Sequence, residues 1–63
     1  MVFAIETDRG LFLVDAYNKP QARKYMREEY GRSESIRKIS TKKSDIEWGK
    51  AMGAFIHDAK GEA

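Results

Sequence analysis

His57 is the one side chain of this sequence whose ordinary pKa lies close to neutral pH, so the search for acid–base chemistry starts there. Asp58 follows it directly, but residues adjacent in sequence do not orient each other on a strand or a helix. The sequence has no cysteine nucleophile, and no serine lies in a Gly-x-Ser-x-Gly turn. A single histidine without cysteine also leaves no typical zinc-ligand set. We therefore expect no enzymatic activity, no catalytic residue, no metal and no cofactor.

Gly49 and Gly53 form a Gly-x-x-x-Gly pair, which differs from a phosphate-binding loop. Its meaning in membranes requires an apolar stretch of about 20 residues, and the sequence has none. We interpret the pair as a close packing contact combined with a helix C-cap. A chain of 63 residues also has little room for a pocket that encloses a small molecule, so we expect no small-molecule substrate.

Basic side chains concentrate in the middle of the chain. Residues 18–43 hold nine Lys or Arg against three Glu, a net charge of +6, and the rest of the chain carries −4 because the total is +2. Such asymmetry is a signal for an anionic partner. We predict one basic surface for a partner or a nucleic acid, which comprises Arg23, Lys24, Arg27, Tyr30, Arg32, Arg37, Lys38, Lys42 and Lys43.

Four aromatic side chains are the other candidates for contacts, since aromatic residues and arginine often anchor protein interfaces. We expect Tyr25 and Trp48 in the core or at its rim. Tyr17 and Tyr30 flank the first helix and are predicted to be exposed. Tyr30 would then form a contact patch with neighbouring arginines.

The length allows one small domain, predicted to span residues 1–63 with a frayed tail at 60–63. A domain of this size buries only roughly 60% of its unfolded surface. With no cysteine for disulfides, self-association is the remaining way to add stability. The sequence shows no signal peptide and no run long enough to span a bilayer, so we expect a soluble cytoplasmic protein without membrane contact.

The chain is organised around a hairpin over Val2–Asp15. Two apolar runs flank the polar turn Thr7–Gly10, which predicts a type I turn with Gly10 left-handed in a G1 bulge. In both runs the odd-numbered and the even-numbered residues are apolar, whereas a half-buried strand alternates apolar and polar residues. Both faces of the hairpin therefore need cover, by helices or by a second subunit.

A helix should follow, with Asn18 as N-cap, Gln21 completing a capping box and Gly31 ending it. Its apolar stripe has helical spacing and consists of Ala22, Tyr25, Met26 and Tyr30. Residues 33–40 predict a third strand at an edge or with a bulge, because Arg37 and Lys38 separate its isoleucines. Placed beside the first strand, it gives a sheet of order 2-1-3.

The second helix should open with a capping box from Ser44 to Glu47. Its end is ambiguous. Apolar periodicity from Trp48 to Ala59 supports one long helix, but Gly49 and Gly53 would each cost about 1 kcal/mol inside it. The alternative, which we favour, ends the helix at Met52 with Gly53 as C′ and adds a short fourth strand within residues 54–58.

These elements predict an α+β fold, a small antiparallel sheet with two helices in the order β-β-α-β-α and an additional short C-terminal strand. The sequence also resembles short accessory proteins encoded on bacterial plasmids and phages, through the segments Ser35–Ile39, Ser44–Glu47 and Ala51–Ala59 in that order. The resemblance covers most of the chain and rests on structural signals. It implies a mobile-element origin and, as for some such proteins, binding to host or defence proteins.

Two functions from different classes follow. The leading hypothesis is a non-enzymatic protein-interaction module that binds a protein partner or itself, because the doubly apolar hairpin is hard to bury in so small a chain. The alternative is a small nucleic-acid-binding protein that uses the basic surface of residues 18–43.

Overall fold

A computed structural model describes residues 1–30 and 35–61, with the side chain of Tyr30 excepted. In these residues the element order is β1 (Val2–Thr7), β2 (Gly10–Asp15), α1 (Lys19–Tyr30), β3 (Ile36–Ser40), α2 (Lys43–Ala51) and β4 (Ile56–Asp58). The predicted small α+β fold is confirmed. Gly31, the predicted helix end, lies outside the described residues.

The strands form one sheet of order β3-β1-β2-β4. β1 pairs antiparallel with both β2 and β3, which confirms the predicted central place of β1. The pairing with β3 shifts register between Glu6 and Thr7, in agreement with the irregular edge strand expected from the sequence. β4 pairs parallel with β2, so the sheet is mixed where three antiparallel strands were expected from local pattern alone.

The hairpin turns through Asp8 and Arg9. Gly10 has a φ of +129°, as its type suggested. The predicted bulge is wrong, because the register runs unshifted from Val2↔Asp15 to Thr7↔Gly10. The Thr7 hydroxyl accepts a hydrogen bond from the Arg9 N–H and donates one to the Gly10 carbonyl, both at 3.1 Å. This side chain closes the two-residue turn.

α1 begins where the sequence predicts. The Gln21 N–H donates to the Asn18 carboxamide oxygen at 2.9 Å, and the Gln21 side chain accepts from the Tyr17 N–H at 2.6 Å. The first bond satisfies a donor that a helix start otherwise leaves unpaired, and the second fixes the residue that precedes the N-cap. The helix then lays Ala22 and Met26 onto one face of the sheet.

The main core lies between α1 and that face. Its sheet residues point to the same face of the hairpin. Together with residues of α1 they form the cluster Phe3, Ile5, Val14, Ala16, Ala22 and Met26. Partly buried side chains surround it, namely Phe12, Tyr25, Ile36, Ile39 and Ala59. Each fully buried aliphatic side chain contributes about 1.5–3 kcal/mol of transfer free energy. α1 therefore supplies the cover that one apolar face of the hairpin needs.

α2 begins at Lys43 with Lys42 as N-cap, so the predicted capping box at Ser44 is wrong. Ser40 explains the earlier start, because its hydroxyl accepts from the Lys42 N–H at 3.1 Å and donates to the Asp45 carboxylate at 2.5 Å. The helix ends at Ala51, and Gly53 follows with a φ of +86°. This confirms the shorter helix with a fourth strand over the single long helix.

α2 lies on the other face of the sheet. Gly49 is buried against Leu13, and an ideal Cβ on Gly49 would lie 2.9 Å from the Leu13 Cδ2. Gly49 thus brings the helix backbone close to the strand, as the Gly-x-x-x-Gly pattern suggested. The hairpin residues that point away from α1 are therefore covered by α2 at the position of Leu13.

Candidate interaction surface

The cover that α2 provides stops short of the hairpin turn and leaves a groove of about 200 Å³, the α2 groove. Its floor is the face of the sheet that α2 covers, and its wall is the side of α2 that is directed toward the hairpin turn. The groove is lined by Ala4, Glu6, Gly10, Leu11, Lys38, Ser40, Asp45, Trp48 and Met52. It combines an apolar wall with a polar rim.

Two large apolar side chains that line this groove are exposed, and two more follow them in the chain beyond α2. Trp48 is 63% exposed, Met52 64% and Phe55 82%, and Ile56 at the start of β4 is 47% exposed. The expectation that Trp48 lies in the core or at its rim is wrong. Gly49 occupies the position that faces the sheet, and the preceding residue on a helix is rotated by about 100° to the side. The apolar periodicity from Trp48 to Ala59 does not mark one helix face, because the helix ends at Ala51 and Ala59 packs against the main core.

The polar rim is a small network of β3 and α2. Asp45 accepts from the Ser40 hydroxyl and lies 3.8 Å from the Lys38 Nζ. The Ser40 hydrogen bond and then the nearby lysines lower the pKa of Asp45, so its carboxylate is held ionised. Glu6 stands directly opposite Lys38 in the β1–β3 register. Both signs of charge therefore flank the apolar wall.

The structure does not bring the predicted basic surface together on one face. Arg23, Lys24 and Arg27 are exposed on α1, which covers the first face of the sheet. Three other members of the predicted surface are exposed at the groove rim and the start of α2, namely Lys38, Lys42 and Lys43.

The remaining members of the predicted surface have other surroundings. Arg37 pairs with Asp8 of the hairpin turn at 2.9 Å. Arg32 lies outside the described residues, as does the Tyr30 side chain. The predicted patch of Tyr30 and its neighbouring arginines therefore stays a prediction.

His57 is half-buried on the α1 side of the sheet. Its register partner is Val14, and the Tyr25 hydroxyl lies 3.2 Å from its Nδ1. The ring also packs against Phe12, with ring centroids 6.3 Å apart. Alternation along β4 sends the Asp58 side chain to the opposite face, so the adjacent pair forms no catalytic dyad.

Asp15 forms ion pairs with residues near both ends of the described chain. Its carboxylate lies 3.1 Å from the Met1 ammonium and 3.3 Å from the Lys60 Nζ. The hydrogen bond from the ammonium, followed by the contacts with Lys60, lowers the pKa of Asp15. Lys60, predicted to belong to a frayed tail, also places its Nζ 5.4 Å from the ring centroid of Tyr17. Tyr17 is 58% exposed, as expected.

Within residues 1–30 and 35–61, no group of three or more His, Asp or Glu side chains could hold a metal ion. Neither α1 nor α2 has the length and hydropathy that crossing a bilayer requires.

Packing within the described residues does not explain the exposure of Trp48 and Met52 in the α2 groove. Comparison with protein-family models, with curated proteins and with solved structures finds no match for the chain.

Proposed function

We propose that this protein is a non-enzymatic interaction module that binds a protein partner through the α2 groove. One observation carries the proposal: Trp48 and Met52, four residues apart, both line the groove and are each more than 60% exposed. Soluble proteins rarely leave such apolar groups together in water unless a partner covers them. Trp is also the residue most enriched at the energetic centres of interfaces.

The rim of the groove supports a protein partner over an apolar small molecule. Lys38, Asp45 and Glu6 offer both signs of charge next to the apolar wall. An apolar centre with a mixed polar rim is the usual anatomy of a protein interface. As the resemblance to mobile-element accessory proteins implies, the partner we propose is a host protein.

The test is a capture experiment with the purified protein as bait in lysate of the natural host, with and without nuclease. Trp48→Ala should remove the specific, nuclease-resistant partner. Tyr17→Ala is the matched control, since Tyr17 is a similarly exposed aromatic outside the groove. Equal capture by wild type and Trp48→Ala would contradict the proposal.

A nucleic-acid function remains the second candidate, and the exposure of Arg23, Lys24 and Arg27 on α1 favours it. Binding through phosphates weakens steeply with salt, with a slope of roughly 0.7–0.9 per phosphate contacted. A salt titration with DNA and RNA, repeated with the three residues reversed to Glu, measures this directly. No binding at low salt would remove this candidate.

A further inference from the structure

The two outer strands of the sheet differ in how they are protected. β3 carries Arg37 and Lys38, and charged side chains at an edge discourage the addition of another strand. β4 is only three residues long, which also limits pairing, but it carries no Lys or Arg and a single carboxylate, Asp58, and it begins at Ile56 directly after the 82% exposed Phe55. Within the described residues, the β4 edge is therefore the less protected of the two.

The backbone groups on that edge follow from the pairing with β2. The Ala59 N–H donates to the Asp15 carbonyl at 2.9 Å and continues the β2–β4 ladder. Alternate residues of a strand direct their backbone groups to the same side, so His57 also faces β2. The N–H and C=O groups of Ile56 and Asp58 consequently point to the open edge.

We propose that β4 of a second copy of this chain pairs antiparallel with this edge, about a two-fold axis at His57. This contact uses Phe55 and Ile56, which do not line the α2 groove, and so it is separate from the proposed contact with a host protein. The register sets Ile56 opposite Asp58 of the second copy and Asp58 opposite its Ile56. In each of these pairs, the two outward N–H groups donate to the two outward carbonyls, as in an antiparallel hydrogen-bonded pair.

Side-chain size agrees with this register, and charge disfavours the neighbouring one. Phe55 falls opposite Ala59 of the second copy, so a large side chain meets a small one, and Lys60 falls opposite Ala54. A two-fold axis at Asp58 would set two carboxylates face to face, which is unfavourable. A contact of two copies of one edge is also closed, since the same surface is used on both sides.

The contact is small, and this determines the conditions of the test. Three paired residues with Phe55 and Ile56 bury far less than the ~800 Å² per partner of a standard interface. We therefore expect a weak dimer that sedimentation detects at high micromolar concentration.

Cysteine cross-linking tests the register, since the chain has no cysteine of its own. Residues opposite each other without hydrogen bonds have Cα atoms about 4.5 Å apart, within the range of about 4.4–6.8 Å that a disulfide spans. His57→Cys should oxidise to a covalent dimer. Lys38→Cys, at the centre of β3, is the matched control and should stay monomeric. Equal cross-linking of the two variants would overturn the proposal.

Ile56→Pro tests the hydrogen bonds. It removes an N–H that faces the open edge and leaves the β2–β4 ladder intact, which circular dichroism verifies. The dissociation constant of the dimer, measured by sedimentation, should rise at least tenfold. A wild-type monomer at high micromolar concentration would also overturn the proposal. In that case, loss of partner capture on Trp48→Ala would still support the proposed function, so the two can fail separately.

Discussion

The contact between Gly49 and Leu13 makes a quantitative prediction about how α2 is seated. In Gly49→Ala the new Cβ would lie 2.9 Å from the Leu13 Cδ2, 3.1 Å from its Cγ and 3.2 Å from the Leu11 Cδ2. Leu13 is fully buried, so it cannot yield by turning into solvent. Overpacking of this kind costs about 1–3 kcal/mol. We expect α2 to be pushed away from the sheet.

Helix propensity acts in the opposite direction. Alanine is favoured over glycine inside a helix by about 1 kcal/mol. The expected net effect of Gly49→Ala is therefore a loss of about 1 kcal/mol in the free energy of unfolding. In a domain of this length, that corresponds to a fall in Tm of roughly 4–8 °C.

Urea and thermal unfolding, followed by circular dichroism and by the fluorescence of the single Trp48, measure the change. Glu47→Ala, at an exposed position of the same helix, serves as the control for propensity. In the double variant Gly49→Ala with Leu13→Val, the shorter side chain makes room for the Cβ. Its loss should therefore be smaller than the sum of the two single losses. A Gly49→Ala protein that is more stable than wild type would refute the reasoning.

Three further predictions concern charge, capping and exposure. Because the Met1 ammonium and Lys60 lower the pKa of Asp15, its stabilisation is present above the ordinary value of 3.8 and is lost as pH falls through the lowered folded pKa. Asp15→Asn should therefore reduce the fall in urea midpoint between about pH 5 and about pH 2.5, and an unchanged fall would contradict this. Asn18→Ala should cost about 1 kcal/mol in urea unfolding by removing the N-cap bond, whereas Asn18→Ser should restore most of it. Trp48→Ala should change the unfolding free energy by less than about 0.5 kcal/mol, and a larger loss would show that the indole is packed in the fold.

The features that the sequence predicted well depend on short-range physics. The Asn18 cap needs only a side-chain oxygen within reach of an N–H three residues on. Gly10 and Gly53 adopt positive φ because other residues pay a steric cost there. The central position of β1 also follows from local elements, since the crossover from the hairpin returns β3 beside it.

The candidate site was predicted less well, because its parts come from different elements. The basic residues are close in sequence, but they are divided among α1, β3 and the start of α2, and the two helices cover opposite faces of the sheet. Trp48 belongs to an apolar pattern with helical spacing, as a core residue would. Such spacing identifies an apolar stripe but does not show whether that stripe faces the sheet. Directly opposite residues such as Glu6 and Lys38 become neighbours only through strand register.

The sequence by itself determined the order of elements, the cap of α1, the glycine turns and the need to cover both faces of the hairpin. Tertiary structure decided how the second face is covered. Gly49 has no side chain, so α2 approaches the sheet most closely there and buries Leu13, while Trp48 and Met52 are left beside an open groove. The start of α2 at Lys43 and the parallel pairing of β4 likewise depend on contacts with distant residues. Backbone propensities act within a few residues, whereas the choice between core and interaction surface depends on which helix face can come nearest to the sheet.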